Sequence, residues 1–183
     1  SEPLEVAMAF QGGLGLSQFY VADLDAIRLQ EPQVSLLRNL AEAFPGLWLD
    51  CGLRTASDVP HSLVSQKITF IAGLETLKRP HVLKELCQQF GPERIVFSLD
   101  LKAGLPVGEL KDWQGSSAWD ITQEAIAKGV EKLIVLDLAQ VGVGGGVSTL
   151  PLGRKIKREF PHVAVITGGA SGIGRGLAEA LHQ

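Results

Sequence analysis

Residues 132–146 read KLIVLDLAQVGVGGG, and this stretch decides the fold. The run LIVLDL at residues 133–138 is apolar apart from Asp137 and shows no alternation of apolar and polar positions. Such a run is typical of a parallel strand that is covered on both faces. A glycine-rich turn follows it. The stretch therefore predicts a buried parallel strand that leads through a turn into a helix.

Similar short apolar runs recur along the chain, separated by amphipathic helical patterns. The six predicted strands are residues 19–23, 47–50, 68–72, 94–100, 132–137 and 163–167. The predicted helices are residues 3–10, 34–44, 57–64, 80–90, 120–128, 150–160 and 174–181. This order predicts an α/β fold, with a leading helix followed by about six βα units joined by right-handed crossovers. A doubly wound sheet and a closed barrel both fit the pattern.

The composition indicates one globular domain over residues 1–183. Hydrophobic residues make up 45% of the chain and charged residues 20%, as in ordinary folded proteins. A net charge of −3 argues against a nucleic-acid partner, and no apolar run is long enough to cross a membrane. The first ten residues lack the features of a signal peptide, and Cys51 and Cys87 lack metal-ligand spacing. We expect a cytoplasmic protein without a cofactor.

Four predicted strands end in aspartate, namely Asp23, Asp50, Asp100 and Asp137. Because parallel strands point the same way, we expect these carboxylates at one rim, which in β/α barrels carries the catalytic residues. Each aspartate alone is equally well explained as a helix cap or a loop ligand. All four together favour a functional rim, with Arg54 and Lys102 as counter-ions. These two cations make a metal site the weaker alternative, and we expect none.

Two glycine-rich turns have the character of phosphate sites. Residues 141–147 read VGVGGGV and residues 167–174 read TGGASGIG, each ahead of a predicted helix. Glycine lets the backbone approach an anion closely, and a helix N-terminus offers free N–H groups. We expect phosphate at the glycines of these turns, which are Gly144, Gly145, Gly146, Gly168 and Gly169.

The second turn also resembles the TGxxxGIG cofactor turn of short-chain dehydrogenases. In that family the motif opens the domain and a Tyr-x-x-x-Lys pair performs the chemistry. Here the turn lies near the end of the sequence, the only tyrosine is Tyr20, and position 24 is leucine. A fragment of an NAD(P)-dependent short-chain dehydrogenase is therefore kept only as a further alternative.

The whole series of strands resembles the HisA/HisF family of histidine-biosynthesis β/α barrels, in particular a HisA-related branch. FYVADLDAI (residues 19–27) is similar to the second strand of that family, and WLDCGLRTASDV (residues 48–59) to the third. ITFIAGLETL (residues 68–77) and IVFSLDLKAG (residues 95–104) resemble the fourth and fifth. IVLDLAQVGVGGG (residues 134–146) and VITGG (residues 165–169) resemble the sixth and seventh. The resemblance implies a (β/α)8 (TIM) barrel, represented here without its first and eighth strands.

The resemblance also implies a chemistry. In the family, two phosphate sites hold a bis-phosphorylated substrate, and aspartates on the first and fifth strands act as acid and base in an Amadori rearrangement. Asp100 matches the fifth-strand aspartate, with Asp137, Asp50 and Asp23 as further catalytic candidates. Gly52, Arg54 and Lys102 are expected to join the glycine turns in binding phosphate. Asp50 and Cys51 depart from the family, which has glycines there.

These features predict an isomerase-like barrel that acts on or binds a phosphorylated, sugar-type small molecule. A catalytically degenerate barrel that serves as a binding or assembly protein is the alternative. The missing strands motivate it, because exposed sheet edges demand covering. A homo-oligomer or strand exchange would provide that cover.

Overall fold

The computed structural model describes residues 2–140 and 148–167. Its strands form one sheet in the order β1-β2-β3-β4-β6-β7, and neighbouring strands on this path are parallel. The strands are β1 (Tyr20–Ala22), β2 (Trp48–Asp50), β3 (Thr69–Gly73), β4 (Ile95–Lys102), β5 (Leu105–Pro106), β6 (Lys132–Asp137) and β7 (Ala164–Thr167). The predicted α/β fold is confirmed, since this order is that of consecutive βα units in a (β/α)8 barrel.

Seven α-helices are found in the described residues. They are α1 (Pro3–Leu14), α2 (Leu24–Leu29), α3 (Val34–Ala43), α4 (His61–Val64), α5 (His81–Phe90), α6 (Ala118–Ala127) and α7 (Leu150–Glu159). Short 3-10 turns occupy Ala56–Asp58, Pro92–Arg94 and Leu138–Gln140. The helix predicted at residues 174–181 lies outside the described residues.

Three details differ from the sequence prediction. The single helix predicted at residues 57–64 was wrong, because a 3-10 turn ends at Asp58 and α4 begins only after Pro60, which lacks an N–H donor. Helix α2 was not predicted. Strand β5 was also missed, and it pairs antiparallel with β4 through a tight turn in which Ala103 and Gly104 have positive φ.

The sheet has two faces with different surroundings. One packs against the helices in the large core, to which β4 contributes Phe97, Leu99 and Leu101. The other carries a smaller apolar cluster, which we call the interior face because it corresponds to the side that lines a β/α barrel. This cluster comprises Ile71, Val96 and Ile134 with Trp48, Leu136 and Ile166 packed against them. Both faces are apolar, which explains the uninterrupted hydrophobic runs of the strands.

Candidate functional site

Asp50 and Asp100 lie on the interior face of the sheet. Strand pairing places Asp50 level with Ile71 and Asp100 level with Leu136, and both of these apolar residues belong to the interior cluster. Paired residues of adjacent strands point to the same side of a sheet. The two carboxylates are therefore brought to the same side of the strands, at their C-terminal ends.

Asp23 lies on the opposite side and caps a helix. It follows the last residue of β1 and is the N-cap of α2, where its carboxylate accepts hydrogen bonds from the N–H of Ala26 at 3.1 Å and of Gln33 at 2.8 Å. The side chain is buried. These contacts satisfy the first turn of a short helix and fix the chain that follows it. The structure thus gives Asp23 an architectural place, away from Asp100.

Asp137 also faces the helices. It pairs with Leu101 across β4 and β6, and Leu101 belongs to the large core on that side. Its buried carboxylate accepts hydrogen bonds from the N–H of Ala103 (3.0 Å), Gly104 (2.9 Å) and Ala139 (3.0 Å), and from Ser148 Oγ (3.4 Å). Burial acts to raise its pKa, but the N–H groups of Gly104, Ala139 and Ala103 outweigh burial and hold the pKa below its usual value. Asp137 therefore stabilises the turn between β4 and β5 through its hydrogen bonds to Ala103 and Gly104.

Among the carboxyl groups of the described residues, Asp100 has the most strongly raised pKa. Burial and then the charge of Glu75 raise its pKa to about 6; the Ser98 hydrogen bond opposes this shift, and the charge of Asp50 adds a lesser upward effect. The Ser98 hydroxyl lies 3.4 Å from the Asp100 carboxylate, two residues earlier on the same face of β4. A carboxyl group with a pKa near the working pH can both take up and release a proton. Asp100 therefore has the properties of a general acid–base.

Asp50 holds two donors on the interior face. Its Oδ1 accepts a hydrogen bond from the Gly52 N–H at 3.1 Å, and its Oδ2 accepts one from the Tyr20 hydroxyl at 3.0 Å. Partial burial, then the charge of Asp50 and its hydrogen bond, then the charges of Asp100 and Glu75 raise the pKa of the Tyr20 phenol above its ordinary value. The phenol thus remains a hydrogen-bond donor at neutral pH.

Tyr20 was not among the predicted site residues. Its position in β1 could have indicated it. Tyr20 stands two residues before Ala22, and Ala22 pairs with Asp50 on the neighbouring strand. Alternation along a strand puts Tyr20 and Ala22 on one face.

Arg54 and Gly52 shape the loop after β2. The Arg54 guanidinium donates to the carbonyl of Gly52 at 3.0 Å and to that of Ile27 at 2.8 Å. Gly52 has φ +65°, and a Cβ there would lie 2.8 Å from the Cα of Ile27. Glycine is required by both the backbone angle and the close approach. The Arg54 side chain thereby ties this loop to α2.

Lys102 and the glycine turns are the remaining predicted phosphate ligands. Lys102 stands two residues beyond Asp100 in β4, so alternation assigns it to the same face, and it is exposed. Gly144, Gly145, Gly146, Gly168 and Gly169 lie outside the described residues. Within the described ranges, no group of three or more His, Cys, Asp or Glu side chains is arranged to hold a metal ion. No described helix is long and apolar enough to span a membrane.

Comparison with known proteins agrees with this architecture. Residues 1–175 match the profile of a family described as "Histidine biosynthesis protein". Similar relatives are isomerases of 1-(5-phosphoribosyl)-5-((5-phosphoribosylamino)methylideneamino)imidazole-4-carboxamide. The protein from Syntrophomonas wolfei is 32% identical, with 77% of this chain and 59% of the relative aligned. For those from Caldicellulosiruptor bescii and Thermomicrobium roseum the identities are 29% and 28%, with 93% and 76% of this chain aligned.

The aligned region covers 73% of the C. bescii protein and 55% of the T. roseum protein, so the chain spans between half and three quarters of the length of these relatives. The match to the family profile extends over nearly the whole chain, and the parallel sheet has the strand order that a β/α barrel requires. The chain therefore belongs to the histidine biosynthesis protein family.

Proposed function

We propose that this protein binds a phosphorylated, sugar-type small molecule and isomerises it, with Asp100 as the general acid–base. The observation that carries the proposal is the position of Asp100, on the interior face at the end of a barrel strand, with its pKa raised to about 6 by burial and by the charges of Glu75 and Asp50. Active sites of β/α barrels lie at this end of the strands. The names of the relatives, which specify phosphoribosyl substrates and isomerase activity, support the same reaction class.

The reaction needs a group that moves a proton between adjacent carbons. The Asp100 carboxylate takes the proton from C2 of an open-chain aldose, the C2 electrons form the C1–C2 double bond, and the electrons of the C1 carbonyl bond move to O1, which gives an enediolate. The protonated Asp100 then returns the proton to C1, while the O2 proton is passed to O1 through Asp50, which gives the ketose. A pKa near neutrality suits both halves of this transfer, since neither protonation state of Asp100 is strongly disfavoured.

The phosphate of the ligand is assigned to the glycine turns after β6 and β7, as the sequence predicts. Thr149 lies two residues after the first turn, and its buried Oγ1 has no hydrogen-bond partner among the described residues. Thr149 is the N-cap of α7, and helix N-termini favour anions. Lys102 supplies a positive charge on the face of Asp100.

Proton exchange provides the test. The protein is incubated in D2O with ribose 5-phosphate, glucose 6-phosphate or the phosphoribosyl imidazole-4-carboxamide compound that the relatives' names specify, and loss of the C2 proton is followed by NMR. We expect exchange with at least one compound, and its abolition in Asp100→Asn. Asp112→Asn, which removes an exposed carboxylate near Arg79, is the matched control. Absence of exchange from the folded wild-type protein with all three compounds contradicts the proposal.

A binding or assembly role is the second candidate. Among the described strands, β1 pairs only with β2 and β7 only with β6, and an open strand edge can accept another strand. Light scattering distinguishes the two functions. A stable oligomer without proton exchange favours assembly, and an active monomer excludes an obligatory partner.

A further inference from the structure

The Gly52 N–H is already occupied by the protein's own carboxylate. Asp50 Oδ1 accepts this N–H at 3.1 Å, and Asp50 Oδ2 accepts the Tyr20 hydroxyl at 3.0 Å. Within residues 2–140 and 148–167, these are the two donors directed at the Asp50 carboxylate. A phosphate approaching this end of the interior face finds a carboxylate where it would need a donor.

The charges around this end are also negative. Burial is the largest cause of the raised pKa of the Tyr20 phenol, and the charges that add to it are those of Asp50, Asp100 and Glu75. Like charges at short range repel strongly where water is partly excluded. A dianion is therefore disfavoured at the end of β2.

The cation in the loop after β2 is directed at the backbone. The Arg54 guanidinium donates hydrogen bonds to the carbonyl oxygens of Gly52 and Ile27, at 3.0 and 2.8 Å. A guanidinium has five N–H donors in a fixed fork, and here two of its nitrogens are directed at backbone that joins the loop to α2. The side chain serves the loop rather than the interior face.

We infer that Asp50 sets the specificity of the site by excluding phosphate from the β2 end, so that the ligand carries phosphate at one end only and presents hydroxyl groups to Asp50. This inference rests on the proposed function for the phosphate-bearing end. A carboxylate has about four lone-pair positions, and Asp50 uses two of them internally. Its remaining acceptor capacity suits the hydroxyl donors of a sugar monophosphate.

Two variants of Asp50 separate its charge from its hydrogen bond to Gly52. Asp50→Asn removes the charge and keeps an oxygen that can accept the Gly52 N–H. Asp50→Gly removes both and frees that N–H. Glu42→Gln, at an exposed helical position beside Arg38, loses the same charge far from the site and is the control. Dispersed amide spectra establish that each variant is folded, and Asp50→Ala, which also removes both the charge and the acceptor, carries the test if Asp50→Gly does not fold.

The first measurement is the Gly52 amide resonance during titration with inorganic phosphate. We expect no response in the wild-type protein, a clear response in Asp50→Gly and an equal or smaller one in Asp50→Asn. A wild-type response at the same phosphate concentration as in the variants overturns the inference. So does the absence of any response in the folded variants. This arm needs no turnover, so it decides the inference even if the protein proves not to be an isomerase.

The second measurement compares ribose 5-phosphate with ribulose 1,5-bisphosphate by calorimetry. We expect the wild-type protein to bind the monophosphate at least as tightly, and Asp50→Gly to shift the ratio of affinities towards the bisphosphate by about tenfold. Glu42→Gln should leave the ratio unchanged. A wild-type preference for the bisphosphate of about tenfold or more overturns the inference. Failure of the wild-type protein to bind either sugar counts against the proposed function, and the Gly52 resonance then decides the inference.

Discussion

Asp137 lies opposite Leu101 in the pairing of β4 with β6, on the side of the sheet that packs against the helices. Asp100, one residue before Leu101, consequently faces the interior with Leu136. Two aspartates at the ends of neighbouring strands are thus separated by the sheet itself. One stabilises a turn, and the other is available to a ligand.

Asp137→Asn should destabilise the fold. The variant loses a buried charge that accepts three backbone N–H groups, and hydrogen bonds to charged groups contribute more than neutral ones, so we expect a loss of about 2–4 kcal/mol. Urea unfolding measures this loss. Because the folded pKa of Asp137 is lowered, its contribution is present above the unfolded pKa and is lost as the pH falls through the folded pKa. Asp112→Asn should change stability little, and equal stability of the two variants contradicts this role.

Asp100→Asn should stabilise the protein at neutral and alkaline pH. The folded pKa of Asp100 is raised to about 6, so the folded state binds its proton more tightly than the unfolded chain. Stability is then lost as the pH rises from the unfolded value through about 6. Urea unfolding at alkaline pH should give a free energy of unfolding about 2 kcal/mol larger for Asp100→Asn than for the wild-type protein. This difference should disappear below the pKa of the unfolded chain. A gap independent of pH contradicts the assignment.

Gly52→Ala should be more damaging than Gly46→Ala. Both glycines have positive φ, but a Cβ at Gly52 meets the Ile27 Cα at 2.8 Å, whereas nothing lies within 4 Å of a Cβ at Gly46. We expect about 1 kcal/mol of backbone strain at Gly46 and about 2–4 kcal/mol at Gly52, where a steric clash is added. Thermal or urea unfolding compares the two. Equal losses show that the loop after β2 can move away from α2 at little cost.

Arg54→Met distinguishes a structural arginine from a phosphate ligand. Methionine keeps much of the aliphatic stem and loses the hydrogen bonds to the carbonyls of Gly52 and Ile27, so we expect about 1–2 kcal/mol lower stability. Affinity for inorganic phosphate should not change. Arg38→Met, at an exposed position, is the control for loss of charge. If Arg54→Met binds phosphate more weakly than the wild-type protein and is equally stable, Arg54 is a phosphate ligand, as the sequence suggests, and the structural role is wrong.

Much of the sheet could be predicted from the sequence, because buried parallel strands and the helices between them differ strongly in pattern. The side of the sheet to which each strand residue points could not be predicted. Strands β4 and β6 are apolar on both sides, so no alternation shows which residues point to the helices. Asp100 and Asp137 therefore look equivalent in the sequence, and only the pairing of Leu101 with Asp137 separates them.

The sequence does not predict helix α2 or the turn before β5, because each depends on the hydrogen bonds of one aspartate side chain. Helix α2 (Leu24–Leu29) is six residues long and has Asp23 as its N-cap, whereas the sequence predicts Asp23 at the rim because it ends a strand. The turn before β5 depends on positive φ at Ala103 and Gly104 and on the distant Asp137. This contact joins segments that are more than thirty residues apart in the chain, so a pattern within either segment cannot predict it.

The central claim is that Asp100, and not Asp137, is the proton-transfer group at the end of the strands. A 13C NMR titration of the side-chain carboxyl groups tests it most directly. The predicted result is a pKa of about 6 for Asp100, with Asp137 titrating below the usual range of an aspartate. Titration of Asp100 near the ordinary value of about 4, or of Asp137 above it, would contradict the claim.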